Sequence, residues 1–356
     1  MHFADGEIPR EYTRYIGRKV LFILALILAL AAGLVLAVSL GAAVIPWSEV
    51  LKSLLRVSAD QRFEIIVWNI RLPQALTAIV AGAGLSVAGA AMQCILRNPL
   101  GSPFTLGISH AAAFGAALSV MLIGAGFFAG DQGHTAIVSP VFTTLSAFVF
   151  SLAAAGVIIS VARMRGATPE VMVLTGVALG ALFTAGTMFL QYFADDQELA
   201  AMVFWTFGDT GRADWANLGL LTIVCVVSSL FFVIQAWSYN AIDAGDETAK
   251  GLGVRVERVR MAGMLVASLL TAIIIAFLGI IGFVGLVVPH MVRRLIGSDH
   301  RFLLPASILG GGLLLLVSDT VARLFIFSPH VLPVSVLTAF LGAPVFIALI
   351  IRGRSR

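Results

Sequence analysis

Apolar runs of bilayer length, separated by short polar stretches, repeat along the whole chain. Nine blocks stand out: 20–42, 72–93, 104–127, 137–162, 171–193, 216–237, 260–296, 303–325 and 332–351. The runs are continuous rather than alternating, so they predict helices and not barrel strands. The stretch from Arg71 to Gly107 is the most telling. An apolar run with glycine at 82, 84 and 89 is followed by Arg97-Asn98-Pro99-Leu100 and a further apolar run. In a membrane this pattern describes a closely packed helix, a polar turn and re-entry into the bilayer.

The seventh block is long enough to cross once or twice, and it carries Gly279, Gly282 and Gly285 near its middle. The charge pattern decides. With two crossings, 17 of the 23 basic residues share one face, which the positive-inside rule makes cytoplasmic; a single crossing puts the last arginine cluster on the wrong side. The expectation is an all-α polytopic membrane protein with about ten transmembrane helices and both termini cytoplasmic. Residues 1–19 read as a cytoplasmic segment, 20–351 as one membrane domain and 352–356 as a basic cytoplasmic tail. Two helices within 260–296 are barely long enough, so at least one is tilted or incomplete. Residues 279–290 then either line a pathway or serve glycine packing, and His290 is expected at the turn closing the block.

Composition excludes a soluble fold. The chain is 59% hydrophobic and 12% charged, against roughly 25% charged in soluble domains. The net charge of +4 is spread over loops, with no basic face that would read as nucleic-acid binding. Cys94 and Cys225 read as small buried hydrophobes. The first apolar run exceeds the 7–15 residues or so of a signal h-region, so it reads as a retained anchor. There is no HExxH, no Ser/His/Asp grouping, no paired-carboxylate site and no G-x-x-x-x-G-K-[ST] loop. Catalysis has no candidate residues, no metal site is assigned, and any ATP driving this protein is hydrolysed by another subunit.

Polar residues concentrate in three places. About 238–260, Asp246, Glu247 and Lys250 at helical spacing precede Gly251 and Gly253. They predict a short helix, a glycine break and a second short charged helix after it, together a cytoplasmic knob that is either a docking element or a solvated connector. The loop 194–215 carries Asp195, Asp196, Glu198, Asp209 and Asp214, a cluster read as solvated rather than metal-binding. Asp319 and Arg323 lie four apart on one helix face and can pair within the membrane. Ser109 and His110 begin the third span and are read as facing a pathway or as packing.

These motifs together resemble one transporter family over about residues 65–351. The matching residues are Arg71-Leu72-Pro73, Gln93, Asn98-Pro99-Leu100, Pro103, Leu106-Gly107, Gly176 to Gly180, Trp205 with Trp215, and Leu252-Gly253. Gly282 to His290, Asp299-His300-Arg301, Asp319, Arg323, Leu332-Pro333-Val334 and Gly342 to Phe346 complete the set. The chain resembles the FecCD, or vitamin-B12-type, permeases of binding-protein-dependent ABC importers for iron-siderophore, haem and cobalamin. The resemblance implies ten spans, a homodimer enclosing the path, two cytoplasmic ATPase subunits, and a periplasmic or lipid-anchored binding protein, in a prokaryotic cytoplasmic (inner) membrane. It implies no cofactor on this chain, with ATP-Mg used by the ATPase partner.

By the same resemblance Gly245, Asp246, Glu247, Ala249, Lys250, Leu252 and Gly253 fall in the ATPase-coupling helices. Thr168 and Pro169 fall near the cytoplasmic gate, with Ser109 and His110 on the path. Arg71 and Arg323 match exposed outer arginines that accept carboxylates of the binding protein. Gln74 stands where the family has a further arginine, Val331 beside His330 replaces an acidic residue, and His110-Ala111-Ala112 replaces small or polar residues. The expected cargo is a metal chelate: iron-siderophore first, then haem, cobalamin or an oxyanion such as molybdate. The rival expectations are an ion-coupled secondary transporter built on Asp319 and a membrane scaffold using the knob.

Overall fold

The computed structural model describes residues 10–41, 45–57, 60–124, 139–324 and 332–353. Its helices are α1 (Arg10–Ser39), α2 (Trp47–Leu54), α3 (Gln61–Ile66), α4 (Leu72–Ile95), α5 (Ile108–Gly124), α6 (Pro140–Met164), α7 (Pro169–Phe193) and α8 (Asp196–Thr206). They continue as α9 (Trp215–Ile234), α10 (Ala236–Asp243), α11 (Asp246–Gly251), α12 (Val256–Leu278), α13 (Val284–Ile296), α14 (His300–Leu324) and α15 (Val334–Gly353). Among the described residues there is no strand, only one isolated bridge between Phe207 and Ile280.

The fold is built around α4, which is buried along nearly its whole length and packs against α14, α12, α13 and α9. Small residues make this possible. A Cβ on Gly82 would collide with the carbonyl of Gly311, and one on Gly89 with that of Gly285, so α14 and α13 approach α4 backbone to backbone. In lipid, where apolar side chains gain little by leaving their solvent, such close packing drives association. Outside this core α5 packs on α6 and α7, and α1 lies against α14 with most of its surface turned outward.

Among the described residues, seven helices are long and apolar enough to cross a membrane. α5, at 17 residues, and α13, at 13, are shorter; α13 spans only about 20 Å at 1.5 Å per residue, against a hydrocarbon core of about 30 Å. The long seventh block therefore divides as expected into one full helix and one incomplete one. The break is at 279–283, where Gly279 and Phe283 both take positive φ. Backbone from the segment after α8 holds it: the Asp209 amide donates to the Leu278 carbonyl at 2.8 Å.

Three expectations need correction. His290 does not close the block; it lies inside α13, directly after Pro289. Residues 10–19 are no separate segment, since α1 runs unbroken from Arg10 through the first apolar block. The 194–215 stretch is not an acidic loop but contains α8, and four of its five carboxylates cap helices. Asp195 and Glu198 form a reciprocal capping box, Asp209 accepts from the Gly211 amide, and Asp214 accepts from the Asn217 amide.

Candidate functional site

The cytoplasmic end is organised by one carboxylate. α4 stops at Ile95, and the following turn puts Arg97 at φ 46°, a conformation costly for a residue with a side chain. From there Arg97 Nη2 donates to the Ile242 carbonyl at 3.1 Å and pairs with Asp246 Oδ1 at 2.7 Å. Arg260, buried in the first turns of α12, grips the same carboxylate with both terminal nitrogens at 2.8 Å. Asp246 thus joins the end of α4 to the start of α12 through α11. Such bidentate, charge-assisted bonds fix orientation as well as distance.

The rest of the predicted knob divides by burial. Ala249 is fully buried, Leu252 is 70% exposed, and Lys250 pairs with Glu247 at 2.9 Å on the surface. The bond from Glu247 raises the Lys250 pKa further. Gly245 at φ 119° and Gly253 at φ 83° mark the two ends of α11. Thr168 Oγ1 caps α7 by accepting from the Val171 amide, and Pro169 takes the first helical position, where a missing N–H costs nothing. Thr168, Pro169, Asp246, Lys250, Arg97 and Arg260 line one cavity of about 350 Å³. The structure therefore brings the expected gate residues and two of the coupling residues together.

A second anchor ties the knob to α14. Asn240 Nδ2 donates to Asp299 Oδ1 at 2.9 Å, and Asn240 Oδ1 accepts from the His300 amide at 2.8 Å. Arg301 forks onto Asp299 and lies 4.5 Å over the Trp237 ring. Burial alone would raise the Asp299 pKa, but bonds from Arg301 and Asn240 hold it well below the ordinary carboxylate range. Beside them, ligand atoms of Cys94, Asp243 and His300 gather within 4.8 Å of one another. Because Asn240 Oδ1 is fixed as an acceptor 3.0 Å from His300 Nδ1, that nitrogen carries the proton and offers no lone pair toward Asn240.

At the opposite end, Asp319 collects Gln74 Nε2 at 3.0 Å, the Thr210 hydroxyl, and Arg323 Nε at 3.1 Å. Arg323 also reaches the Ala37 carbonyl at 3.3 Å. Arg71 does not stand exposed on the rim as expected. It is 5% exposed, and its Nη1 donates to the Val38 and Ser39 carbonyls at 2.8 and 3.0 Å, capping the end of α1. Gln74 and Arg323 are likewise turned inward onto Asp319. His330 and Val331 lie outside the described residues.

Ser109 and His110 face different surroundings. Ser109 is buried against the 279–283 break, in a narrow space shared with Thr271, Phe283 and Gly285. His110 lines a cavity of about 160 Å³ with Thr184, Thr187, Met188 and Gln191 of α7, its Nδ1 buried without a hydrogen-bond partner and its ring 5.3 Å from Phe104. Neither joins Thr168 and Pro169. The arginines that hold Asp246 were missed in the sequence, although Arg97 sits in the prominent Arg-Asn-Pro turn.

Residues 27–352 match the model of the FecCD transport family. The chain belongs to that family. It is 50% identical over 346 residues to a protein of Methanocaldococcus jannaschii provisionally named an ABC transporter permease, covering 97% of this chain and 98% of the relative. It is 37% identical to the hemin transport system permease HmuU of Yersinia pestis, covering 94% and 95%. To the vitamin B12 import permease BtuC of Vibrio cholerae it is 38% identical, covering 81% and 83%. Among solved structures, an inward-facing ABC transporter described as of metal-chelate type superposes with a TM-score of 0.80 at 28% identity, covering 93% of this chain and 98% of that one. Family membership accounts for the helical membrane architecture of the described residues.

Proposed function

We propose that this FecCD-family chain is the permease subunit of an ABC importer that carries a metal chelate into the cytoplasm by alternating access. ATP is hydrolysed by a separate cytoplasmic subunit, and a binding protein delivers the cargo from outside. The observation that carries the reading is the Asp246 bridge. Force applied at the exposed α10–α11 knob passes through one carboxylate to both α4, the core helix, and α12, beside the cavity of Thr168 and Pro169. A connector with no mechanical task needs no such bridge.

The metal-chelate class rests on the relatives: hemin and vitamin B12 are both metal-centred macrocycles, and an iron chelate is the first candidate here. A homodimer of ten-span subunits in the cytoplasmic membrane completes the proposal. The long outward-turned apolar face of α7, including Leu182, Met188 and Phe189, supplies a surface for the second copy. Docking by Arg71, Gln74 and Arg323 would require a state in which they leave their present partners. Asp319 is held by Arg323, Gln74 and Thr210, and nothing here favours an ion-coupled reading.

The test is affinity isolation of the tagged chain from its native membranes, followed by uptake in vesicles. Recovery of an ATPase and uptake that requires ATP support the proposal. A folded chain recovered without an ATPase, with uptake that collapses with the proton gradient, would overturn it.

A further inference from the structure

A large cavity lies away from both polar clusters. It holds about 900 Å³ between the first turns of α6, the end of α8, the start of α9 and the last turns of α12. Its walls are apolar, with Leu145, Phe148, Phe204, Leu220 and Phe277 prominent, and its polar end is Arg212 with Asn217. The residues flanking its mouth are apolar and turned outward: Val141 is 79% exposed and Phe204 66%. Val141 belongs to α6, a helix long enough to cross the membrane, and Phe204 closes α8 beside it, so an apolar mouth of this kind suits lipid better than water.

Arg212 gives the groove its chemistry. It donates through Nη1 to the Trp205 carbonyl at 3.1 Å and through Nη2 to the Phe204 and Phe207 carbonyls at 2.8 Å each. These bonds cap the end of α8 but do not neutralise the charge. Arg212 forms no salt bridge among the described residues, although the Asp209 carboxylate three positions earlier offsets part of its charge from a longer distance. A guanidinium has five N–H donors, so two remain for a ligand. A cation without a direct ion-pair partner at the rim of an oily slot complements a phosphate attached to hydrocarbon chains, and positive side chains at the interface draw such headgroups.

We propose that this groove is a binding site for a membrane phospholipid of the leaflet on the Arg212 side. One hydrocarbon chain lies along Leu145, Phe148 and Phe277, and the phosphate rests on Arg212 beside Asn217. The bound lipid fills the gap between α6 and α9 against α12. Arg212 thereby serves both the α8 terminus and the headgroup.

The full-length chain is reconstituted in phosphatidylcholine vesicles containing phosphatidylglycerol with a nitroxide on one acyl chain, and the motionally restricted lipid is measured by spin resonance. Arg212→Gln is expected to lower the restricted phosphatidylglycerol affinity about fivefold, the effect of one interfacial charge, while Arg212→Lys largely retains it. Because Arg212→Gln also removes a helix cap, Thr144→Trp supplies an independent arm, filling the groove with Arg212 intact; it is expected to remove the phosphatidylglycerol-selective part of the restricted pool and leave the general boundary lipid. An unchanged spectrum in Thr144→Trp would overturn the proposal, since only general boundary lipid would then be present. Efficient disulfide cross-linking of two copies through Leu145→Cys would also overturn it, because a second chain would occupy the groove.

Discussion

Asp319 and Asp246 sit at opposite ends of the protein and perform the same chemistry, each holding arginine, yet they differ in what surrounds them. The Asp319 side chain is 4% exposed and its partners come from α4, α14 and the turn after α8, with α1 tied in through Arg71 and Arg323. The Asp246 side chain is 29% exposed and opens onto a cavity. A buried charge whose every partner is supplied by protein has one stable arrangement, whereas a half-hydrated one can exchange partners with water at modest cost. The outer cluster is therefore a rivet, and the cytoplasmic one is a joint.

The sharpest way to break this contrast is Asp319→Ala, which leaves Arg323 without its carboxylate in a buried site. A loss of about 3–5 kcal/mol is expected, read as a large fall in folded yield and thermal midpoint in detergent. Asp319→Asn, which keeps an acceptor for Gln74 and Thr210, should lose less stability and retain ATP-driven uptake; abolished transport by a folded Asn variant would return the ion-coupled reading to contention.

Asp246→Ala strands the buried Arg260 but lets Arg97, which is 40% exposed, turn to water. It is therefore expected to cost about 2–3 kcal/mol, less than Asp319→Ala, and to abolish uptake while leaving the chain folded and able to bind its ATPase. Equal losses of stability and transport in the two aspartate variants would erase the distinction between rivet and joint. Gly253→Pro tests the joint at its tip. Proline is fixed near φ −65° and cannot adopt the 83° found here, so α11 should shift and ATP-driven uptake should fall with little change in thermal midpoint.

The smallest effect concerns Asp299, which anchors the knob through Asn240 and Arg301. Its folded pKa lies below the unfolded value, about 3.9 for an ordinary aspartate. Its contribution is therefore fully present above that pH and is lost only as pH falls through the folded value. Hydrogen exchange in α10 should be indifferent to this group from neutral pH down to about 5, and Asp299→Asn should raise exchange there at every pH.

Much of this was legible in the chain. The apolar runs specified helices because hydrocarbon offers backbone groups no other partner. The division of the seventh block followed from charge placement and glycine spacing, and α11 followed from its charged helical pattern. The second short helix expected after Gly253 is instead α10, before Gly245, and the chain after Gly253 enters the long α12. The Asp195–Glu198 capping box was also readable, since Asp-x-x-Glu before an apolar run satisfies backbone donors that a metal-site reading ignores. Reading those carboxylates as solvated missed their local task.

What the sequence determined alone was the class of solvent, the helical elements and the family, because hydropathy and local spacing act over a few turns. Only the tertiary structure decided which charges meet. Arg97 and Asp246 are 149 positions apart, and Gln74 and Asp319 are 245 apart; no local pattern records such pairs. Burial likewise emerged only on packing, and it turned Arg71 from an expected rim contact into a cap on α1. A charge written in sequence has a sign, but its partner and its dielectric are set by the helices that close around it.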